Sequence, residues 1–177
     1  PKCLSWIKSY FCRRKQRVRY KNPNSKSIDV LSGVPQGSHL GSIFFSLFIN
    51  DLPNVIQFSN ILMYADDVKI FFSYNEISDQ ICLQKDLDNF FMWCRINLMD
   101  LNFNKCKFMR FSRRKLISAN YSLGGYQLEP VNVFQYLGIL LDAKLSFVPH
   151  VNMTINKGLE VSLALLNDGL KSLLIPI

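Results

Sequence analysis

Charge is scarce in this 177-residue chain. Asp, Glu, Lys and Arg together make up 19% of it, below the quarter usual in a soluble globule. Acid is scarcer still, with 13 Asp and Glu against 21 Lys and Arg, a net charge of +8 and a pI near 9.3. That balance favours polyanionic partners. Only two His are present, and the five Cys (3, 12, 82, 94 and 106) are odd in number and form no C-x-x-C. A disulfide framework or a structural zinc site is thereby not expected, and reduced thiols in a cytosolic or nuclear setting fit better. No apolar run approaches the ~20 residues of a membrane span; the longest is around Leu40 to Ile49. No signal peptide opens the chain and it begins Pro1-Lys2-Cys3 without Met. The expectation is an unsecreted piece of a longer protein, located in the nucleus, the cytoplasm or both. What is plentiful is apolar: 49% of residues are hydrophobic, 13% aromatic, and Phe alone occurs 14 times. Disorder is excluded, and so rich a supply of apolar side chain suggests faces that meet the rest of a larger protein.

The positive charge is concentrated. Residues 1–27 carry Lys2, Lys8, Arg13, Arg14, Lys15, Arg17, Arg19, Lys21 and Lys26 with no acid, and residues 105–115 carry Lys105, Lys107, Arg110, Arg113, Arg114 and Lys115, again with none. The stretch from Glu76 to Asp100 is net acidic. Two cationic segments with Tyr20, Phe108 and Phe111 among them suit a groove that tracks a phosphate backbone and offers faces for bases; two solvated loops are the plainer alternative.

Periodicity predicts a mixed chain. Leu4, Ile7 and Phe11 suit a short helix over 3–12. Residues 15–21 and 26–32 read as strands of a hairpin around the turn Asn22-Pro23-Asn24-Ser25. Gly33-Val34-Pro35-Gln36-Gly37 must be a shaped loop, with Ser38 capping a helix over roughly 38–50. Apolar runs at 60–64 and 68–72 enclose Ala65-Asp66-Asp67 as a hairpin tip. Residues 76–99, with Ile77, Ile81, Leu87, Phe90, Phe91, Cys94 and Leu98, form the longest helix. Residues 106–112 alternate as a strand, short strands follow within 121–142 around Gly124-Gly125, and helix resumes from about 150. The class is α+β with an antiparallel sheet.

Tyr64-Ala65-Asp66-Asp67 sets two carboxylates side by side between apolar strands. Either both sit in water on a polar turn, or they hold a divalent cation. Hard oxygen donors suit Mg²⁺, which keeps several waters and takes one or two carboxylates. Successive strand residues face opposite ways, so only a tight turn lets both reach one site. A two-metal phosphoryl-transfer site draws carboxylates from further strands as well. Asp29, Asp51, Asp100 and Asp142 are the remaining candidates, and none stands in a convincing constellation.

Taken in order, Gly33-Val34-Pro35-Gln36-Gly37-Ser38, Leu40-Gly41, Ile49-Asn50-Asp51-Leu52-Pro53 and Tyr64-Ala65-Asp66-Asp67, with 27 positions from Gly37 to Tyr64, resemble the palm of reverse transcriptases from non-LTR retrotransposons, most like the jockey type. Trp6-Ile7-Lys8-Ser9-Tyr10 with Arg14 and Gln16-Arg17-Val18, Leu101-Asn102-Phe103-Asn104-Lys105-Cys106-Lys107 with Phe111-Ser112, and Tyr136-Leu137-Gly138 with Asp142 resemble further motifs of that family. His39 and Ser42 depart from it, where a small or branched apolar residue and a Pro are usual.

The resemblance implies that residues 1–177 are a partial palm, an antiparallel sheet with helices packed on one face, running from just after the first catalytic-Asp motif to the start of the thumb, without fingers. It implies an RNA-directed DNA polymerase that extends a primer by two-metal nucleotidyl transfer. Its cofactor would be Mg²⁺ or Mn²⁺, and its partners an RNA template, a DNA primer, deoxynucleoside triphosphates and the remaining fingers and thumb, with no membrane. Asp66 and Asp67 would be the metal-binding, catalytic carboxylates. Gly33, Val34, Pro35, Gln36 and Gly37 would shape the pocket for nucleotide and template base. Lys105 would stand near the leaving pyrophosphate as an acid. Tyr64, Tyr136, Leu137 and Gly138 would contact the primer. The first catalytic Asp of the family is absent, so the chain alone is expected to be inactive. Two rivals are a decayed or co-opted nucleic-acid-binding domain that does no chemistry, and a fragment whose apolar surface serves assembly.

Overall fold

The structure is a computed structural model that describes residues 2–21, 24–35, 37–73, 76, 78–112 and 119–172, with backbone alone from 162 onward. Two units divide the chain, Pro1–Ser73 and Tyr74–Ile177.

In the first unit, apolar residues three and four apart make α1 (Lys2–Phe11) amphipathic. It ends where Arg13 turns left-handed at φ 55°. The expected hairpin follows, shorter than the sequence suggests: β1 (Lys15–Gln16) pairs antiparallel with β2 (Ile28–Asp29), and an isolated bridge joins Arg19 to Asn24. Between these pairs two residues, Arg17 and Val18, stand against three, Ser25, Lys26 and Ser27, and the extra residue on the return strand interrupts the ladder. Asn22 and Pro23 of the expected turn lie outside the described residues. Ser38 caps α2 (His39–Phe48) as expected, its hydroxyl accepting from the Leu40 N–H at 3.3 Å. Ser42 donates its hydroxyl to the His39 carbonyl within the first turn of α2. After α2 a 3₁₀ turn over Leu52–Val55 begins with Pro53 in its first residues, where no N–H is needed. Leu52, 1% exposed, and Ile49 form the core here. Then β3 (Asn60–Tyr64) and β4 (Asp67–Phe71) pair antiparallel. Ile61 opposite Ile70 and Met63 opposite Val68 form the half-buried face.

In the second unit α3 (Ser78–Ile96) buries Asp86, Phe90, Trp93 and Cys94; Ile77, expected in this helix, lies outside the described residues. Its end is a Schellman motif: Met99 N–H donates to the Cys94 carbonyl at 2.8 Å and Leu98 N–H to the Arg95 carbonyl. Leu98 holds the left-handed position at φ 53°, which Gly usually takes. A 3₁₀ turn, Phe103–Lys105, leads to β5 (Lys107–Phe108), which pairs in parallel with β8 (Glu129–Pro130). Between them β6 (Ser122–Leu123) and β7 (Tyr126–Gln127) form a hairpin whose two-residue turn is Gly124-Gly125, at φ 61° and 84°. Both values belong to the turn that matches strand twist. A Cβ on Gly124 would sit 2.3 Å from the Phe91 ring, so only glycine lets this tip rest on α3. The Gln84 side chain of α3 donates to the Ser122 carbonyl and accepts from the Ser122 N–H, both at 2.9 Å. A last hairpin, β9 (Val133–Tyr136) with β10 (Ile139–Asp142), precedes α4 (Val148–Ser172).

The fold is thus mixed helix and strand with small antiparallel ladders. One difference from expectation concerns the sheet. The described strands pair two by two in five ladders, one of them parallel, and no palm-wide sheet forms among them. The strand expected over 106–112 shrinks to Lys107–Phe108 because Glu129–Pro130 offers it only two partners.

Candidate nucleotidyl-transfer site

The glycine-bearing loop is held from several sides. Arg14 donates through its guanidinium to the carbonyls of Gly33 (2.5 Å), Ser32 (3.1 Å) and Phe11 (3.2 Å). Tyr10 Oη lies 2.5 Å from Ser38 Oγ. The Ser38 N–H donates to the Pro35 carbonyl. Gly33 and Gly37, at φ 75° and 76°, take a backbone conformation that a side chain would strain. Gly41, on the first turn of α2, has no side chain because the loop lies on it: a Cβ there would stand 3.0 Å from the Pro35 oxygen and 3.4 Å from Val34 Cγ2. Phe11, Gly33, Val34, Phe44, Phe45 and Phe48 line a cavity of about 240 Å³. The loop is therefore backed by aromatic side chains and shaped by its own hydrogen bonds. Gln36 lies outside the described residues.

The carboxylate doublet occupies a two-residue turn. Tyr64 pairs with Asp67, leaving Ala65 and Asp66 as the loop, with Ala65 at φ 51°. Asp67 is thus the first residue of β4 and not part of the tip itself. Paired residues of an antiparallel ladder share a face, so Tyr64, Asp67, Leu62 and Lys69 project together. Asp66 and Asp67 are both exposed, and neither carboxylate makes a hydrogen bond or ion pair among the described residues. Two bare, adjacent hard-oxygen donors fit an ion such as Mg²⁺, which keeps its waters. No group of three or more His, Cys, Asp or Glu among the described residues could enclose a metal.

The remaining candidates lie in the second unit. Lys105 ends the 3₁₀ turn, exposed, its N–H bonded to the Asn102 carbonyl. Tyr136 closes the β9–β10 ladder opposite Ile139, and Leu137 and Gly138 form its two-residue turn at φ 47° and 82°. Asp142, weighed above as a third metal ligand, serves the backbone. Its carboxylate accepts from the N–H groups of Lys144 (3.0 Å) and Phe147 (2.8 Å) and the hydroxyl of Ser146 (3.0 Å). Burial pushes its pKa up, and these bonds outweigh that and hold it below the usual carboxylate value. Asp51 is a turn residue, its carbonyl accepting from the Asn54 N–H. Burial raises the Cys94 thiol to about 11, with the Cys106 thiol adding to the rise. His150 accepts the Leu140 N–H through Nδ1. The second cationic segment belongs to this unit too, with Arg113, Arg114 and Lys115 outside the described residues.

The family described as Reverse transcriptase (RNA-dependent DNA polymerase) matches residues 1–141. The chain belongs to the reverse transcriptase family. Among its relatives, a probable RNA-directed DNA polymerase from transposon BS of Drosophila melanogaster is 33% identical over 158 residues, 84% of this chain and 17% of that protein. The RNA-directed DNA polymerases from mobile element jockey of D. melanogaster and Drosophila funebris are each 30% identical over 159 residues, 85% of this chain and 17% of each relative. The chain therefore spans about a sixth of the length of these relatives. No solved structure matches it. The reverse-transcriptase match includes the loop, the doublet, Lys105 and Tyr136 to Gly138, and it ends one residue before Asp142.

Sequence reasoning treats Arg14 and Gly41 only as parts of motifs. The structure gives each of them work on the reverse-transcriptase loop: Arg14 binds its carbonyls and Gly41 lets it lie against α2. Nothing in the sequence singles Arg14 out, since it stands between Arg13 and Lys15 in a run of cations. No helix of the described residues is long and apolar enough to cross a membrane.

Proposed function

We propose that this chain is part of the palm of an RNA-directed DNA polymerase of the non-LTR retrotransposon type. It extends a primer: the 3′ hydroxyl attacks the α-phosphorus of a deoxynucleoside triphosphate templated by RNA, and pyrophosphate leaves. The observation that carries the reading is the bare Asp66–Asp67 pair at a tight turn, with Tyr64 opposite Asp67, within a chain of reverse-transcriptase sequence. Asp66 and Asp67 would hold Mg²⁺ or Mn²⁺, which neutralises charge on the reacting phosphates. The Gly33–Gly37 loop presents close backbone to the nucleotide, since glycine admits near approach. Lys105 stabilises charge on the departing pyrophosphate and supplies a proton from Nζ. Tyr64 packs near the primer terminus, and the turn of Tyr136, Leu137 and Gly138 holds the primer strand. The fingers and thumb come from the rest of the polymerase, and the setting is the nucleus or cytoplasm.

A two-metal site draws carboxylates from more than one strand, and no larger cluster exists among the described residues. The 177-residue chain by itself therefore gives no extension. Primer-extension assays with Mg²⁺ test both halves of the reading. The chain alone should yield nothing, and fusion to an upstream family segment that carries an Asp should restore synthesis. Asp66→Asn in the fusion should all but abolish it; a fusion whose extension that change leaves intact refutes the site. The cationic first unit favours a second reading, a nucleic-acid-binding domain that does no chemistry. Salt-sensitive binding together with an inactive fusion would select it.

A further inference from the structure

The first unit carries most of its cations in one stretch. From Arg13 to Lys26 the sequence holds seven Lys or Arg and no acid. In the structure the side chains of Arg13, Lys15, Arg17, Arg19, Lys21 and Lys26 are all exposed. One acid answers them, Asp29 on β2, at 3.6 Å from Lys15 Nζ with both groups about two-thirds exposed. Such a surface pair contributes little. Arg17, Arg19 and Lys21 have no ion pair among the described residues.

The backbone holds these cations on one hairpin. Lys15 and Gln16 pair with Asp29 and Ile28, Val18 accepts the Ser25 N–H at 2.9 Å and Arg19 bridges to Asn24. Next to Arg19, Tyr20 is 73% exposed, and Lys21 Nζ stands 5.6 Å from its ring centroid. A cluster of like charges repels itself, and a polyanion relieves that repulsion.

We propose that the β1–β2 hairpin is a cationic arm that binds the phosphate backbone of a nucleic acid through Arg17, Arg19 and Lys21, with Tyr20 as a stacking face for an unpaired base. This rests on the nucleic-acid part of the reading above and not on its metal chemistry. RNA and DNA supply the same phosphates, and the arms of the test separate them.

Binding of the 177-residue chain to labelled single-stranded RNA, single-stranded DNA and an RNA–DNA hybrid is measured by anisotropy from 0.05 to 0.3 M salt. Combined Arg17→Gln, Arg19→Gln and Lys21→Gln should reduce the slope of log K against log salt by about 2 to 3. Affinity at 0.1 M salt should fall roughly a hundredfold. Lys85→Gln, Lys144→Gln and Lys157→Gln together remove the same charge elsewhere and should change the slope by less than 1. Asp29→Asn removes the hairpin's acid and should tighten binding, a gain that unfolding cannot produce. Tyr20→Ala should weaken the two single-stranded arms more than the hybrid. The arm bound most tightly by the parent chain names the source of the phosphates. If the parent binds and the first triple variant keeps its slope, the arm is wrong while the family reading stands. If the parent binds none of the three, arm and nucleic-acid reading fall together.

Discussion

Asp142 and the Asp66–Asp67 pair show two surroundings of a carboxylate. Asp142, 8% exposed, is enclosed by two backbone N–H groups and a hydroxyl, all drawn from the five residues that follow it. It organises the entry to α4, where Leu145 and Phe147 hold left-handed φ values of 54° and 59°. Asp66 and Asp67 have no such donors among the described residues and stand in solvent. A carboxylate that serves the fold has its lone pairs filled by the fold. The pair proposed above to hold a metal is left open, at the cost of repulsion between its members.

The sharpest test of that contrast exchanges the two sites' consequences. In an active fusion polymerase, Asp66→Asn should reduce primer extension about a thousandfold, the several kcal/mol that a metal supplies to such a step, with the melting midpoint unchanged. Asp142→Ala should do the reverse, lowering the midpoint while any extension that survives at low temperature keeps its rate per folded molecule. A melting curve and a rate on each variant check both.

Acid should test the Asp142 site too. The folded pKa of Asp142 lies below its ordinary 3.8. Its contribution to stability is complete above that ordinary value and is lost as pH falls through the depressed one. Denaturation midpoints followed from pH 6 to pH 2 should fall less steeply in Asp142→Asn than in the parent.

Arg14→Ala should cost about 2 kcal/mol for three backbone acceptors left to water at a partly exposed site. Amide exchange should rise at Gly33 and Val34 and stay level across β3 and β4. Equal acceleration in both places would mean that Arg14 acts on the whole unit. The smallest effect is expected at Leu98→Gly, a gain of about 1 kcal/mol from relieving a left-handed leucine at the end of α3, read as a rise in chemical-denaturation midpoint.

Much of this was legible in the sequence, and the reasons differ by element. The β3–β4 hairpin was visible because two apolar runs enclose a polar doublet. Its register was not, and Asp67 moved from the tip into the strand. Ser38 could be read as a cap because its hydroxyl acts on the very next turn. α3 ran past its true end because Leu98 takes the left-handed position that a Gly would have announced. The single sheet was not recoverable, since period-two patterning marks strands but never their partners; β5 finds its partner 22 residues on, and in parallel. Asp142 could not be assigned from its letter, because ligand and cap differ only in which donors fold back onto the carboxylate.

Gln84 acts from a helix as though it were one residue of a neighbouring strand. Its amide occupies both hydrogen-bonding groups of Ser122, which would otherwise stand as an open rim on the β6–β7 ribbon. A further strand that would add itself alongside at Ser122 finds both groups already taken.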